Sequence, residues 1–249
     1  MTLALLLFLS IKTRKNFLQC HEAISRIKLQ LAREVRLTGQ NVALEVQNAI
    51  AINKLPVQFP TFLGDASIDS FHARQLTHEL LLLKPRVILE LGAGTSSVLV
   101  ALSVKHLNYG HVKHIAIDHD ARYLLLAQDL AQANGVADCI DFQLCPLAKR
   151  KADGFEWYTG VRELIADGTT IDILVVDGPP ATGKGQEKVR EFALPELYDL
   201  LSPTCTIFLD DTNREGEASI ATAWAERFPD LAIEQSSRGK GHVAFRRIQ

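Results

Sequence analysis

The run Val87-Ile88-Leu89-Glu90-Leu91-Gly92-Ala93-Gly94-Thr95-Ser96-Ser97 constrains this chain more than any other feature. An unbroken apolar stretch ends in an acid and a glycine turn, and a second apolar stretch, Val98 to Leu102, follows. That order predicts a buried strand running into a tight loop that opens a helix. Glycine lets the loop backbone take unusual dihedrals and lie against a ligand with no side chain between. The acid near the strand end places a carboxylate beside whatever the loop holds. Loops of this kind hold phosphates, dinucleotides or S-adenosylmethionine, so the rest of the chain must choose among them.

From Arg86 onward strand and helix patterns alternate. Strands are predicted at Val87–Leu91, His114–Ile117, Ile140–Leu144, Ile171–Val176 and Thr206–Leu209, and helices near Ser97–Lys105, Ala121–Asn134, Glu187–Leu201 and Ala218–Phe228. Leu231–Glu234 and His242–Arg246 flank Arg238-Gly239-Lys240-Gly241 and read as a hairpin. The predicted fold class is α/β: a Rossmann-like, doubly wound, mostly parallel sheet with a C-terminal hairpin and its ligand at the carboxyl ends of the strands. Ser70 to Leu83 is predicted as a helix leading to Pro85. Ahead of it, Phe17 to Leu55 reads as a helical arm. Ile24, Ile27, Leu31, Val35, Val42, Val46 and Ala49 recur at helical spacing, with Gly39 interrupting the set. A helix capping the main domain and a coiled-coil pairing both fit that pattern. Pro56 and Pro60 mark a linker, so residues 1–63 are expected as arm and linker and 64–249 as the main domain.

The formal net charge of −2 shows no basic excess, which argues against a nucleic-acid partner. The groups Lys149-Arg150-Lys151 and Arg246-Arg247 read as solvated surface. None of the four cysteines forms a Cys-x-x-Cys pair, and three sit in apolar runs, which fits a reducing, cytoplasmic compartment. Leu3 to Leu9 is strongly apolar but far shorter than the roughly 20 residues a membrane span needs. No basic residue precedes that run and no small-x-small site follows it, which speaks against a cleaved signal. Lys12, Arg14 and Lys15 leave open weak attachment to a membrane surface, or self-association, through the arm.

Two of the three ligand classes fit poorly. Gly178-Pro179-Pro180-Ala181-Thr182-Gly183-Lys184-Gly185 nearly spells a P-loop, but Gly185 stands where a Ser or Thr hydroxyl must hold magnesium. A dinucleotide fingerprint wants Gly-x-Gly-x-x-Gly, and Ser97 takes the third place. S-adenosylmethionine carries no phosphate, so its loop needs close backbone approach without an anion cradle. Asp118 ends the next strand, 24 residues after Gly94, where an acid accepts hydrogen bonds from ribose hydroxyls. His119 and Asp120 are neighbours able to share that role. A plainer reading has Asp118 capping the following helix.

From Glu90 to Arg247 the chain resembles the class I S-adenosylmethionine-dependent methyltransferases. The matching pieces are Glu90-Leu91-Gly92-Ala93-Gly94-Thr95-Ser96, Ile117-Asp118-His119-Asp120, Cys145-Pro146-Leu147, Val176-Asp177-Gly178-Pro179-Pro180 and Leu209-Asp210-Asp211. More narrowly, Trp157-Tyr158 and Arg214-x-x-Glu217 match a branch with Asp-Gly-Pro-Pro and a late Asp-Asp. The resemblance implies Gly92, Gly94, Thr95 and Ser96 along the methionine and ribose, with Asp118 and His119 on the ribose. It implies Pro146 and Leu147 beside the adenine, Glu90 organising the loop or meeting the methionine amino group, and Asp177 next to the reactive methyl. The implied activity is methyl transfer to a small-molecule or glycan-like acceptor at oxygen.

Methyl transfer is an in-line displacement, so such an enzyme positions the nucleophile and removes its proton. Asp177, Asp210 and Asp211 come from adjacent strand ends and are expected to converge. Catechol-type O-methyltransferases place magnesium ligands at related positions, so Mg2+ or another divalent cation on these three acids is one expectation. Here Asp211 stands in the place of an Asn, and the alternative is that Asp210 and Asp211 cap the next turn and pair with Arg214. Trp157 and Tyr158 read either as a roof over the acceptor or as packing at the sheet edge. Lys184 and Arg190 read as a solvated helix start or as attractors of an anionic acceptor. His72, His78 and His242 show no metal-ligand spacing. A binding scaffold that keeps the pocket without turnover is the alternative outside catalysis.

Overall fold

In the computed structural model the described residues are 2–64, 66–150, 154–165, 168–181 and 185–248, with side chains described throughout except in 2–14, 16–18 and 20. The chain forms two units, residues 1–47 and 48–249. The first is one helix, α1 (Thr2–Ile52), whose last turn enters the second unit. Gly39 does not interrupt it, since one glycine costs only about 1 kcal/mol relative to alanine in a helix. Ile24, Ile27, Leu31, Val35, Val42 and Val46 are exposed. No described helix is long and apolar enough to cross a membrane. The side chains of Leu3 to Leu9 and of Cys20 lie outside the described set.

The second unit is built on seven strands: β1 (Val87–Leu91), β2 (Lys113–Asp118), β3 (Asp141–Leu144), β6 (Ile171–Val176), β7 (Leu201–Asp210), β8 (Leu231–Ser236) and β9 (His242–Arg247). Their order is β3-β2-β1-β6-β7-β9-β8. The first five run parallel, and β9 lies antiparallel between β7 and β8. The order reverses between β1 and β6, which opens a crevice at the carboxyl ends of those two strands.

β1 is buried along its whole length, as an apolar strand inside a parallel sheet must be. Leu89 and Leu91 pack on one face with Leu174, Val176 and Trp224. Ile88 packs on the other with Leu76 and Leu80 of α2 (Ser70–Leu83) and Leu99 of α3 (Thr95–Leu107). Asp69 caps α2, accepting from the backbone N–H of Phe71 and His72 at 2.9 Å each, and Lys84 closes it in a left-handed conformation before Pro85. α4 (Ala121–Ala133) follows β2, and α6 (Glu215–Arg227) follows β7.

Several expectations are corrected. The helix predicted at Glu187–Leu201 is instead a 3-10 turn (Val189–Phe192), the short α5 (Ala193–Leu197) and a second 3-10 turn (Tyr198–Leu200), with Leu201 already in β7. Pro195 has no N–H to continue a long helix. Trp157 and Tyr158 lie on β5 (Glu156–Tyr158), which pairs with β4 (Leu147–Lys149). Residues 48–63 pack within the second unit: Ile52 is buried against Ile68, Leu76 and Leu80, and Asn134 Oδ1 accepts from the backbone N–H of Gln58 and Phe59. The basic groups are also less solvated than expected, since Arg150 pairs with Glu196, and Arg246 pairs with Glu79 and Glu234.

Gly92 has a φ of +103°, and a Cβ there would stand 3.1 Å from the Gly178 nitrogen. Gly92→Ala is therefore expected to reduce the unfolding free energy by about 1–3 kcal/mol, measured by urea denaturation.

Candidate active site

The crevice is floored by the β1–α3 loop, and Glu90 fixes that loop from beneath. Its carboxylate is fully buried on the helix-α3 face of the sheet, where it accepts from Ser97 Oγ at 2.5 Å and Ser96 Oγ at 3.2 Å. His114 Nε2 lies 3.4 Å from its other oxygen. Ser97 Oγ in turn accepts from the Gly94 N–H at 3.3 Å. Glu90 thus organises the loop and is not among the cleft-lining residues. Gly92, Gly94, Thr95 and Ser96 do line the cleft. A Cβ on Gly94 would meet nothing within 4 Å, so the space above this glycine is open.

Asp118, at the end of β2, lines the same cleft with His119, whose Nδ1 is 3.1 Å from Asp118 Oδ1. The cap of α4 is Asp120, which accepts from the Arg122 N–H at 2.9 Å and pairs with the Arg122 guanidinium. Asp118 does not cap α4, but its Oδ1 accepts from the Asp120 N–H at 2.9 Å. Pro146 and Leu147 are not cleft-lining: the Pro146 carbonyl accepts from Thr159, and Leu147 packs against the core.

Opposite the loop, ligand atoms of Asp177, Asp210 and Asp211 lie within 4.8 Å of one another. Asp177 follows β6, Asp210 ends β7, and Asp211 follows with a φ of +62°. Four basic side chains surround them. Arg190 reaches Asp211 at 3.1 Å, Asp177 at 3.5 Å and Glu217 at 3.7 Å, and its Nε donates to the Pro179 carbonyl. Lys240 Nζ lies 3.4 Å from both Asp210 Oδ2 and Asp211 Oδ1. Arg214 is 2.9 Å from Asp211, and His72 Nδ1 is 3.0 Å from Asp210.

The charges sort the acids into different states. Burial and the neighbouring Asp210 carboxylate push the Asp177 pKa up to about 7, against the pull of Arg190 and Lys240. Burial also opposes ionisation of Asp210, but His72 and Lys240 outweigh it and hold that carboxyl well below the ordinary range. Burial and the nearby Asp118 raise the Tyr158 phenol well above its usual value, so it stays protonated. Tyr158 lines the cleft, and its hydroxyl is buried with no hydrogen-bond partner among the described residues. Gly178 makes room for it, because a Cβ there would collide with the Tyr158 oxygen.

Sequence reasoning placed Asp177, Asp210 and Asp211 together, and Asp211 also makes the expected pair with Arg214. It read Arg190 as a solvated helix start or as an attractor of an anionic acceptor; the side chain is only 4% exposed and holds three acids. It missed Lys240 as a site residue and the partnership of His72 with Asp210. A lysine between two glycines in a hairpin turn was the only available signal for Lys240. Trp157 packs in the core, and Tyr158 belongs to the same core cluster while also lining the cleft. Lys184 lies outside the described residues.

The fold is shared with solved methyltransferases. No family model and no curated protein sequence matches the chain. Among solved structures it is similar to the O-methyltransferase TomG from Streptomyces achromogenes, involved in tomaymycin synthesis and determined with S-adenosylmethionine. The identity is 16%, the match covers 74% of this chain and 83% of that one, and the TM-score is 0.57. It is also similar to an O-methyltransferase from Bacillus cereus in complex with S-adenosylhomocysteine, at 15% identity over 84% of this chain and 91% of that one, with a TM-score of 0.53. The S-adenosylhomocysteine-bound methyltransferase PaMTH1 from Podospora anserina matches at 13% identity over 82% and 87% of the two chains, also with a TM-score of 0.53.

Removing the Arg190 guanidinium would take away the cation shared by Asp177, Asp211 and Glu217. Arg190→Ala is expected to cost about 3–5 kcal/mol in urea unfolding, and Arg190→Lys to recover only part of that, because an ammonium cannot span three acids as the planar fork does.

Proposed function

We propose that this chain transfers a methyl group from S-adenosylmethionine to an oxygen of a small-molecule or glycan-like acceptor, with Asp177 as the general base. The observation that carries the reading is the meeting of three strand ends at the switch point: the Gly92–Gly94 loop, Asp118 and Asp177. It is supported by a fold held in common with methyltransferases solved with S-adenosylmethionine or S-adenosylhomocysteine. The residues present suit that cofactor. Open space above Gly94 admits close backbone approach, and the Asp118 carboxylate on the opposite wall suits a pair of ribose hydroxyls.

When bound, the cofactor supplies an electrophilic methyl group on a sulfonium. The protein's part is to orient an acceptor hydroxyl and take its proton. With a pKa near 7, Asp177 is poised to do so at neutral pH. Arg190 keeps that carboxylate in place. Asp177, Asp210 and Asp211 form a donor set of the kind a divalent cation uses, but Lys240 and Arg190 already occupy the carboxylate oxygens that such an ion would need. The residues as they stand do not fit a divalent cation, and the proposed reaction runs without one.

S-adenosylhomocysteine is expected to bind in calorimetric titration, and Asp118→Ala to weaken it by about 1.5–3 kcal/mol through loss of charge-assisted bonds. ATP or NAD binding with no response to S-adenosylhomocysteine would overturn the reading. Asp177→Asn should keep that binding while lowering methyl transfer about a hundredfold or more. A base must be ionised to accept a proton, so kcat/KM for the unsubstituted chain should rise as pH climbs through about 7 and level off above it. Cofactor binding with no methyl transfer to any of a broad panel of hydroxyl-bearing acceptors would favour the non-catalytic scaffold.

A further inference from the structure

We propose that Lys240 is a built-in substitute for a divalent cation: its ammonium excludes metal from the Asp177, Asp210, Asp211 centre and itself faces the acceptor oxygen. This deepens the methyl-transfer reading and rests on it for the acceptor, while the exclusion of metal stands on the geometry alone.

The position of Lys240 is fixed by its turn. The Asp69 carboxylate, which also caps α2, accepts from the Lys240 backbone N–H at 2.7 Å. The Lys240 carbonyl accepts from the Asn213 N–H at 3.0 Å, and the Asn213 amide donates to the carbonyls of Ser237 and Gly239. Both flanking glycines are needed for this fit. A Cβ on Gly239 would run into the Asp69 carboxylate, and one on Gly241 would meet the Asn213 amide at 2.6 Å. Helix α2, the segment after β7 and the β8–β9 turn therefore clamp one residue, and its side chain lies over Asp210 and Asp211.

Space and charge then exclude a second cation. A hard divalent ion takes its carboxylate oxygens at about 2.0–2.6 Å and needs six or more ligands. Lys240 Nζ stands 3.4 Å from one oxygen of Asp210 and one of Asp211, which leaves no room for an ion bridging those two oxygens. Arg190 covers Asp211 Oδ2 and Asp177 Oδ1 in the same way. Lys240 lines the cleft, and a lysine carries three N–H donors, so it can also hold an acceptor oxygen beside the Asp177 base. A single ammonium does not chelate two vicinal oxygens as a metal with open positions does. The acceptor class that fits is one presenting a single reacting hydroxyl, with no requirement for a neighbouring one.

The test is Mn2+ binding to the full chain, followed by electron paramagnetic resonance of the free ion, with calorimetric S-adenosylhomocysteine binding measured separately. The unsubstituted chain should leave Mn2+ free, and chelator should not change its activity. Lys240→Ala and the near-isosteric Lys240→Gln should each bind Mn2+ about tenfold more tightly or better, the least that removing a like charge at this distance implies, and adding Asp211→Asn should abolish the gain. Mn2+ binding by the unsubstituted chain that Asp210→Asn or Asp211→Asn removes would overturn the proposal. So would two folded Lys240 variants that both fail to gain metal. Loss of S-adenosylhomocysteine binding in the unsubstituted chain would count against the methyl-transfer reading and leave the metal result standing.

Discussion

Buried carboxylates at the carboxyl ends of β6 and β7 set the terms for the rest of this domain. A buried charge without a partner costs several kcal/mol, so acids placed together at the switch point must draw cations from elsewhere in the chain. They come from separate segments: His72 from α2, Arg190 from the β6–β7 connection, Arg214 from the N-cap of α6, and Lys240 from the β8–β9 turn. Each pairing pins one of those segments to the sheet. The same network keeps Asp210 ionised while leaving Asp177 close to neutrality, and that difference gives the centre a residue able to accept a proton near pH 7.

The other wall of the cleft is made rigid by different means. Glu90 does not line the cleft but carries the β1–α3 loop through Ser96, Ser97 and the Gly94 N–H. Gly92 and Gly178 approach closely enough that a Cβ on either would crowd the other at 3.1–3.2 Å, which brings the loop and the Asp177 segment together. A fixed glycine floor and a charge-balanced acid wall leave little in the cleft to rearrange. Preorganisation of this kind is what positioning chemistry demands.

How much of this was legible in the sequence depended on the range of the interactions. The strand–loop–helix around Gly92 and Gly94 reads directly, because hydrophobic run, turn and helix are local. Ser70–Leu83, Val87–Leu91 and Ile171–Val176 fall where periodicity places them. Asp118, Asp177, Asp210 and Asp211 follow from strand ends alone. Arg190 and Lys240 do not, because their partners are fixed only when distant segments meet; the bond that positions Lys240 joins it to Asp69 near the other end of the domain. Residues 189–201 misled for another reason. Val189, Ala193, Leu194, Leu197 and Leu201 are all buried, and the same spacing fits one continuous helix as well as the broken turns that Pro195 enforces.

The most direct test of the cleft is a crystal structure of the chain with S-adenosylhomocysteine. The ribose hydroxyls are expected on Asp118, the backbone of Gly92 to Gly94 against the homocysteine, and the sulfur facing Asp177, with Lys240 still over Asp210 and Asp211. A ligand seated away from the β1–α3 loop, or a metal ion found where the Lys240 ammonium now lies, would contradict this description of the site.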